Sequence, residues 1–240
     1  DRADLNLPGN QNPAFEILQG SGKPLVSVLL MSKPHCVNRV LDKSDAALVV
    51  FNPGAKGGVA IADCLFGSFN PCGRLPISFP RHVGQLPVYY NQSPGWHARL
   101  SAHYGGQDAY VDLPPSPLLA FGEGISYSNI EYGEARLSCK HLSAPEKAVE
   151  LSLSLTNNSD CDAIEIVQLY CQLWVPGVTG PAKQLLKFER VCVAAAESTQ
   201  VVFHLICEDF IVLNRALKKW RYQGKVELMV GKSSKRADLQ

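Results

Sequence analysis

Two carboxyl groups that face one bond can divide nucleophilic and general acid–base work between them, provided an apolar setting raises the pKa of one. Three pairs in this sequence stand close enough along the chain to be weighed for that role: Asp42 with Asp45, Asp108 with Asp112, and Glu208 with Asp209. All three fall in loops or charged turns without an apolar pocket around them, so a solvated face accounts for them better. Gly57-Gly58 at a helix start could cradle a phosphate through unpaired backbone N–H groups. A phosphate loop, however, needs Gly-Lys-Ser/Thr opening the helix, and here Lys56 precedes the glycines. Close helix-to-sheet packing is the plainer role for them. Asp63, a charge on an otherwise apolar helix, and Arg74, an arginine in a turn, are read as structurally paired charges rather than catalytic ones.

Metal and thiol chemistry find equally little. The eight cysteines, at 36, 64, 72, 139, 161, 171, 192 and 207, form no CxxC pair and no Cys/His ligand spacing. No metal and no cofactor are expected. Several cysteines stand in apolar strand contexts, such as Cys171 in VQLYCQLW and Cys192 in RVCVA, where cysteine behaves as a small hydrophobe. Free thiols in a reducing, cytoplasmic setting are therefore favoured over a disulfide framework. His97 and His103 have no third ligand at metal spacing. Two sequons, Asn91-Gln92-Ser93 and Asn157-Asn158-Ser159, would be glycan acceptors only in a secreted protein.

The elements that must position any site follow from apolar patterning. Phe15, Ile17 and Leu18 mark an amphipathic segment ended by Gly20-Ser21-Gly22. Leu25 to Met31 and Ala46 to Phe51 are near-continuous apolar runs, the signature of strands buried on both faces of a parallel sheet. Between them Val37, Val40 and Leu41 fit a short helix. Asn52-Pro53-Gly54 ends the second strand, a helix runs from Gly57-Gly58 through Ile61, Ala62 and Leu65, and Gly67 stands where a C-cap is expected. Two strands alone make a poor sheet, so its remaining strands are expected upstream of Asp1 or in another chain. From Ile130 the texture changes. Residues 149–155, 164–173, 199–205 and 226–230 alternate apolar and polar side chains between turn signals, which argues an antiparallel sandwich. Lys232 to Gln240 reads as a polar, frayed tail.

The stretch from Phe51 to Pro80, FNPGAKGGVAIADCLFGSFNPCGRLPISFP, resembles the second domain of glycoside hydrolase family 3, the β-glucosidase and β-xylosidase family, with its pattern PGxxGGxAIADxLFGxxNPxGRLPxSFP. The likeness continues through DRxDLxLPxxQ at the start, PLVxVLL, VGQxPxYYN over Val83 to Asn91, YxD over Tyr110 to Asp112, and PLxxFGxGLSY over Pro117 to Tyr127. It departs at Glu123, where an aromatic residue is common, and at Ile125, where Leu is usual. Later segments, VQLY, PAKQLLKFERV and a final LMVGKSS, resemble the family's fibronectin-III-like domain with its PxxLxxFxRV and VxVGxSS.

The resemblance implies an α/β sandwich, partial and mainly parallel, followed by an all-β immunoglobulin/fibronectin-III-like sandwich. Residues 1–80 would be the C-terminal part of the first, 81–129 an ordered crossover linker, 130–234 the second and 235–240 the tail. It implies a retaining glycosidase parent acting on a β-linked oligosaccharide or glycoside. That parent carries a β/α barrel with an Asp nucleophile, and a Glu acid/base shortly upstream of the DRxDL segment; neither region is in this chain. No catalytic residue is therefore assigned here, and the chain alone is expected to be inactive. A non-catalytic carbohydrate- or partner-binding module remains the alternative. In the crossover, Trp96 and Tyr104 could form a platform on which a sugar ring stacks, although such rings more commonly anchor neighbouring domains.

A formal net charge of +1 supplies no field that would attract nucleic acid or a membrane surface. No apolar run approaches the roughly 20 residues of a spanning helix. The N-terminus has neither a basic n-region nor an apolar h-region, and a start at Asp1 reads as a fragment, a processed product or a trimmed chain. Self-association through uncovered apolar strands is expected.

Overall fold

The structure, a computed structural model, describes residues 2–93, 110, 112–142, 148–175, 180–214 and 216–240. The chain divides into two compact units, the first drawn from Asp1–Phe69, Pro76–Tyr89 and His97–Phe121, the second from Asn70–Leu75, Tyr90–Trp96 and Gly122–Gln240.

In the first unit, helix α1 (Gln11–Gln19) is followed by β1 (Val26–Leu30), α2 (Asn38–Lys43), β2 (Ala46–Val50) and α3 (Gly57–Leu65). β1 and β2 pair in parallel, with Val26 opposite Ala46 and Leu30 opposite Val50. Their order and direction follow the apolar pattern; their burial does not. None of the ten strand residues is buried, and Val26 and Leu30 are 50% and 62% exposed. A two-stranded sheet leaves both edges open, and three short helices cannot cover two apolar faces. The buried apolar side chains of this unit, among them Met31, Val37, Val40 and Phe79, lie outside the two strands.

The turn chemistry around α3 forms as its residues dictate. Gly54 takes φ +72° in the Pro-Gly turn, and Gly67 takes φ +77° just past the Phe66 C-cap. Only one of the two helix-opening glycines is sterically required. A Cβ at Gly57 would lie 2.5 Å from Pro53 Cβ, whereas one at Gly58 would meet nothing within 4 Å. The crowding is thus against the preceding turn and not, as the sequence suggested, between helix and sheet. Gln85 is buried: its Oε1 accepts from Arg81 N at 2.9 Å and its Nε2 donates to the Ser116 carbonyl at 3.0 Å. Arg81 Nε also donates to the Ser116 carbonyl at 3.0 Å, so two side chains of one segment hold a single acceptor far along the chain.

Among its described residues the second unit is all β apart from short 3-10 turns: β3 (Ile130–Tyr132), β4 (Arg136–Leu137), β5 (Val149–Asn157), β6 (Ala163–Leu173), β7 (Gln184–Val193), β8 (Ser198–Leu205), β9 (Ile211–Leu213), β10 (Lys219–Arg221) and β11 (Val226–Gly231). One antiparallel sheet runs β11-β6-β7; in another, β3 and β4 pair with β5, which also pairs with β8, and β9 with β10 makes a hairpin. Alternate residues of β5, Leu151, Leu153 and Leu155, face a single core shared with Val167 and Leu169 of β6 and Val201 and Phe203 of β8. That period of two is what the sequence displays. The expected frayed tail is instead pinned. The Val230 and Gln240 backbones exchange two hydrogen bonds of 3.0 Å, and the Gln240 side chain donates to the Gly133 carbonyl at 2.8 Å. Gly231 permits this approach, since a Cβ there would overlap the Asp238 carbonyl.

Gly122 has no room for a side chain. It has φ +77°, and an added methyl would overlap the Gln168 carboxamide. That carboxamide is buried, accepts from Tyr170 OH at 2.5 Å and donates to the carbonyls of Gly122 at 3.0 Å and Lys232 at 2.7 Å. Gly122→Ala should therefore cost about 1–2 kcal/mol for the left-handed backbone and about 1–3 kcal/mol more for buried groups left unpaired. Urea denaturation followed by circular dichroism checks this, and an unchanged midpoint would contradict it.

Candidate functional site

The most elaborate polar cluster among the described residues centres on Glu165. In β6 it shares parity with Ala163, Val167 and Leu169, so strand geometry turns its carboxylate inward. Arg74, just past the Asn70-Pro71-Cys72-Gly73 turn, meets it: Nη2 lies 2.8 Å from both carboxylate oxygens, and both side chains are more than nine-tenths buried. Nη1 donates to the carbonyls of Cys72 and Gly73 at 3.3 Å each, while Nε is buried without a partner. From β3, Tyr132 OH donates to Glu165 Oε1 at 2.9 Å. Burial, and then the Glu165 charge, hold the Tyr132 phenol well above its ordinary pKa, so it stays a proton donor. A carboxylate held by Arg and Tyr has no approach for a substrate. The cluster ties the turn at 70–75 to β6 and β3. Arg74 is thus the structural charge expected, and its partner is Glu165, a residue the sequence reading passed over. The one available signal was a lone acid on the buried parity of an apolar strand.

The carboxylates weighed for catalysis are otherwise engaged or solvated. Asp45 Oδ2 accepts from Leu25 N at 2.7 Å and starts the β1–β2 pairing; Asp42 and Asp112 are exposed. Glu208 pairs with Arg221 at 2.8 Å, and Asp209 pairs with Lys187 at 2.9 Å while accepting from Ile206 N at 2.9 Å. Asp108 lies outside the described residues, as do Trp96 and Tyr104, the two candidate sugar-stacking rings, and His97 and His103.

No disulfide joins any of the cysteines, all eight of which are described. Burial, aided by the Asp209 charge, pushes the Cys171 thiol up to about 11, away from nucleophilic use. No group of three or more His, Cys, Asp or Glu among the described residues could hold a metal ion, and no described helix is long and apolar enough to cross a membrane. Asn157 of the second sequon is 1% exposed, and its amide donates to the carbonyls of Cys161 at 2.8 Å and Val193 at 3.1 Å. It offers no acceptor nitrogen in the folded protein. Asn91 of the first sequon is exposed.

Against this geometry the comparisons with known proteins are consistent with one another. Residues 1–128 match the model of the glycosyl hydrolase family 3 C-terminal domain, and residues 165–234 that of a fibronectin type III-like domain. A periplasmic beta-glucosidase of Salmonella typhimurium strain LT2 is 33% identical over 98% of this chain and 31% of its own length. A beta-xylosidase of Formosa agariphila is 34% identical over 100% of this chain and 32% of its own. Among solved structures, the beta-glucosidase of Listeria innocua in complex with gluconolactone superposes with a TM-score of 0.89 at 34% identity, covering 98% of this chain and 33% of that one. The chain spans about a third of the length of these relatives.

Proposed function

The chain belongs to glycosyl hydrolase family 3, and on that premise we propose that it is the C-terminal portion of a β-glucosidase-like, exo-acting hydrolase. In this reading it acts on β-glucosides or β-xylosides only as part of a longer enzyme, supporting an active site whose nucleophile and acid/base carboxylates lie outside the chain. Residues 1–80 supply part of an α/β sandwich, 81–129 the crossover, and 130–234 a fibronectin-III-like sandwich. Trp96 and Tyr104 are the rings of the crossover best suited to stack on a sugar.

The observation that carries the reading is the pairing of a family match over residues 1–128 with a set of carboxylates already committed to other work. A retaining mechanism needs two carboxyl groups about 5–5.5 Å apart across one glycosidic bond. Glu165, Asp45, Glu208 and Asp209 are each held by a cation or a backbone N–H. The purified 240-residue chain should therefore show no turnover of aryl β-glucosides or aryl β-xylosides above the uncatalysed rate. Hydrolysis by the chain alone that a single Asp or Glu substitution abolishes would overturn this reading.

A further inference from the structure

Within the second unit, a cavity of about 770 Å³ opens where the loop after β4 faces the turn between β10 and β11. Its floor is aliphatic and aromatic, made by Val149, Leu205, Phe210, Val226 and Leu228, the inner residues of β5, β8 and β11 with the turn after β8. Its rim is basic: Lys140, Arg221 and Lys225 line it beside His141, all exposed, and no Asp or Glu among the described residues does. Arg221 is neutralised by Glu208 at 2.8 Å. Lys140 and Lys225 have no carboxylate partner among the described residues, and Lys225 Nζ sits 5.2 Å from the centre of the Trp174 ring. Tyr222 also lines the cavity, but its hydroxyl is already bonded to the carbonyls of Trp174 at 2.8 Å and Lys225 at 3.1 Å. Gly224 allows that approach, since a Cβ there would overlap the hydroxyl.

We propose that this cavity is a binding site for a small organic monoanion: a carboxylate carried on an apolar, aromatic or aliphatic body. The volume falls in the range of small-molecule sites, which are mostly apolar with a few polar groups that fix orientation. The Lys140 and Lys225 ammonium groups at the mouth, without a carboxylate partner among the described residues, select the anion, and the apolar floor selects the body by removing it from water. A sugar fits less well. Hydroxyls on the part of the ring seated on the floor would lie against Val149, Leu205, Phe210, Val226 and Leu228, whose side chains offer no hydrogen-bond partners, at a cost for each unpaired group. The site is therefore separate from glycoside turnover and does not depend on the function proposed above.

Isothermal titration of the 240-residue chain with 2-naphthoate tests it, with 2-naphthamide as the neutral isostere. One saturable site is expected for the acid, with at least tenfold weaker binding of the amide and loss of affinity on raising the salt. Lys140→Glu and Lys225→Glu should each weaken binding about tenfold or more, while Lys56→Glu, the same charge change on the first unit, should leave it unaltered. Both rim lysines are exposed, so circular dichroism should report an unchanged fold for all three variants. Absence of saturable binding, equal binding of acid and amide, or equal affinity across the three charge variants would overturn the proposal.

Discussion

Arg74→Ala should lower the unfolding free energy of the 240-residue chain by about 3–5 kcal/mol, because it strands the Glu165 carboxylate in a buried site without its counter-charge. The two side chains are 8% and 5% exposed, and Glu165 then retains only the Tyr132 hydroxyl as a donor. Glu165→Gln should cost a similar amount for the converse reason: the guanidinium stays buried while its charge partner is gone. Replacing both partners by apolar residues of similar volume, Arg74→Met with Glu165→Leu, should recover most of the loss, since the pair spends in desolvation much of what it gains in attraction. Urea denaturation of these proteins together with Arg74→Met and Glu165→Leu made singly, followed by circular dichroism, closes the double-mutant cycle and yields the coupling. Equal and additive losses in the two single variants, with no recovery in the double, would show that the pair is not energetically linked. Tyr132→Phe should cost less, about 1.5–3 kcal/mol, as one hydrogen bond to a charged group.

The purified chain should associate with itself. Val26 and Leu30 of β1 are 50% and 62% exposed, no third strand among the described residues pairs with β1 or β2, and Ile17, Val59 and Phe66 of the same unit are 77%, 62% and 86% exposed. A parallel strand pair with open edges presents both apolar side chains and unpaired backbone groups, the two features that drive edge-to-edge and face-to-face association. Light scattering should find a mass that rises with protein concentration. Introducing charge on the strand and the helix end together, Val26→Lys, Leu30→Lys and Phe66→Glu, should return the chain toward monomer. A monomer at every concentration for the unaltered chain would show that these surfaces do not associate.

Much of the local structure is legible in the residues because it is settled over short distances. Pro53-Gly54 and Gly67 announce the turns that bound α3, as only glycine takes their positive φ without strain. The alternation in β5 assigns Leu151, Leu153 and Leu155 to a core before any partner strand is known. Strand β7 and the β9–β10 hairpin were less visible. β7 reads QLLKFERVCV, whose paired Leu and interleaved charges blur the period of two, and its burial is correspondingly irregular. The last residues read as a tail because they are polar, yet Gln240 is held by backbone exchange with Val230. Composition reports what a segment would gain by burial and is silent about hydrogen bonds it can make to a sheet edge.

The sequence by itself determined the kind of protein this is: the order of strands and helices, the shift from mixed to all-β texture, and the family. These depend on residue type, on spacing along the chain and on turns of a few residues, all of which are local. Tertiary structure decided which charge meets which, that Arg74 finds Glu165 ninety-one positions away, that Gly122 must lack a side chain because Gln168 lies against it, and that Lys140 and Lys225 stand at the mouth of one apolar-floored cavity. Such contacts join residues distant in sequence, and nothing in one segment's pattern encodes the identity of its partner in another. Tertiary structure also decided that the apolar strands β1 and β2 are left uncovered. Apolarity states a demand for burial, and only the neighbours present in space can meet it.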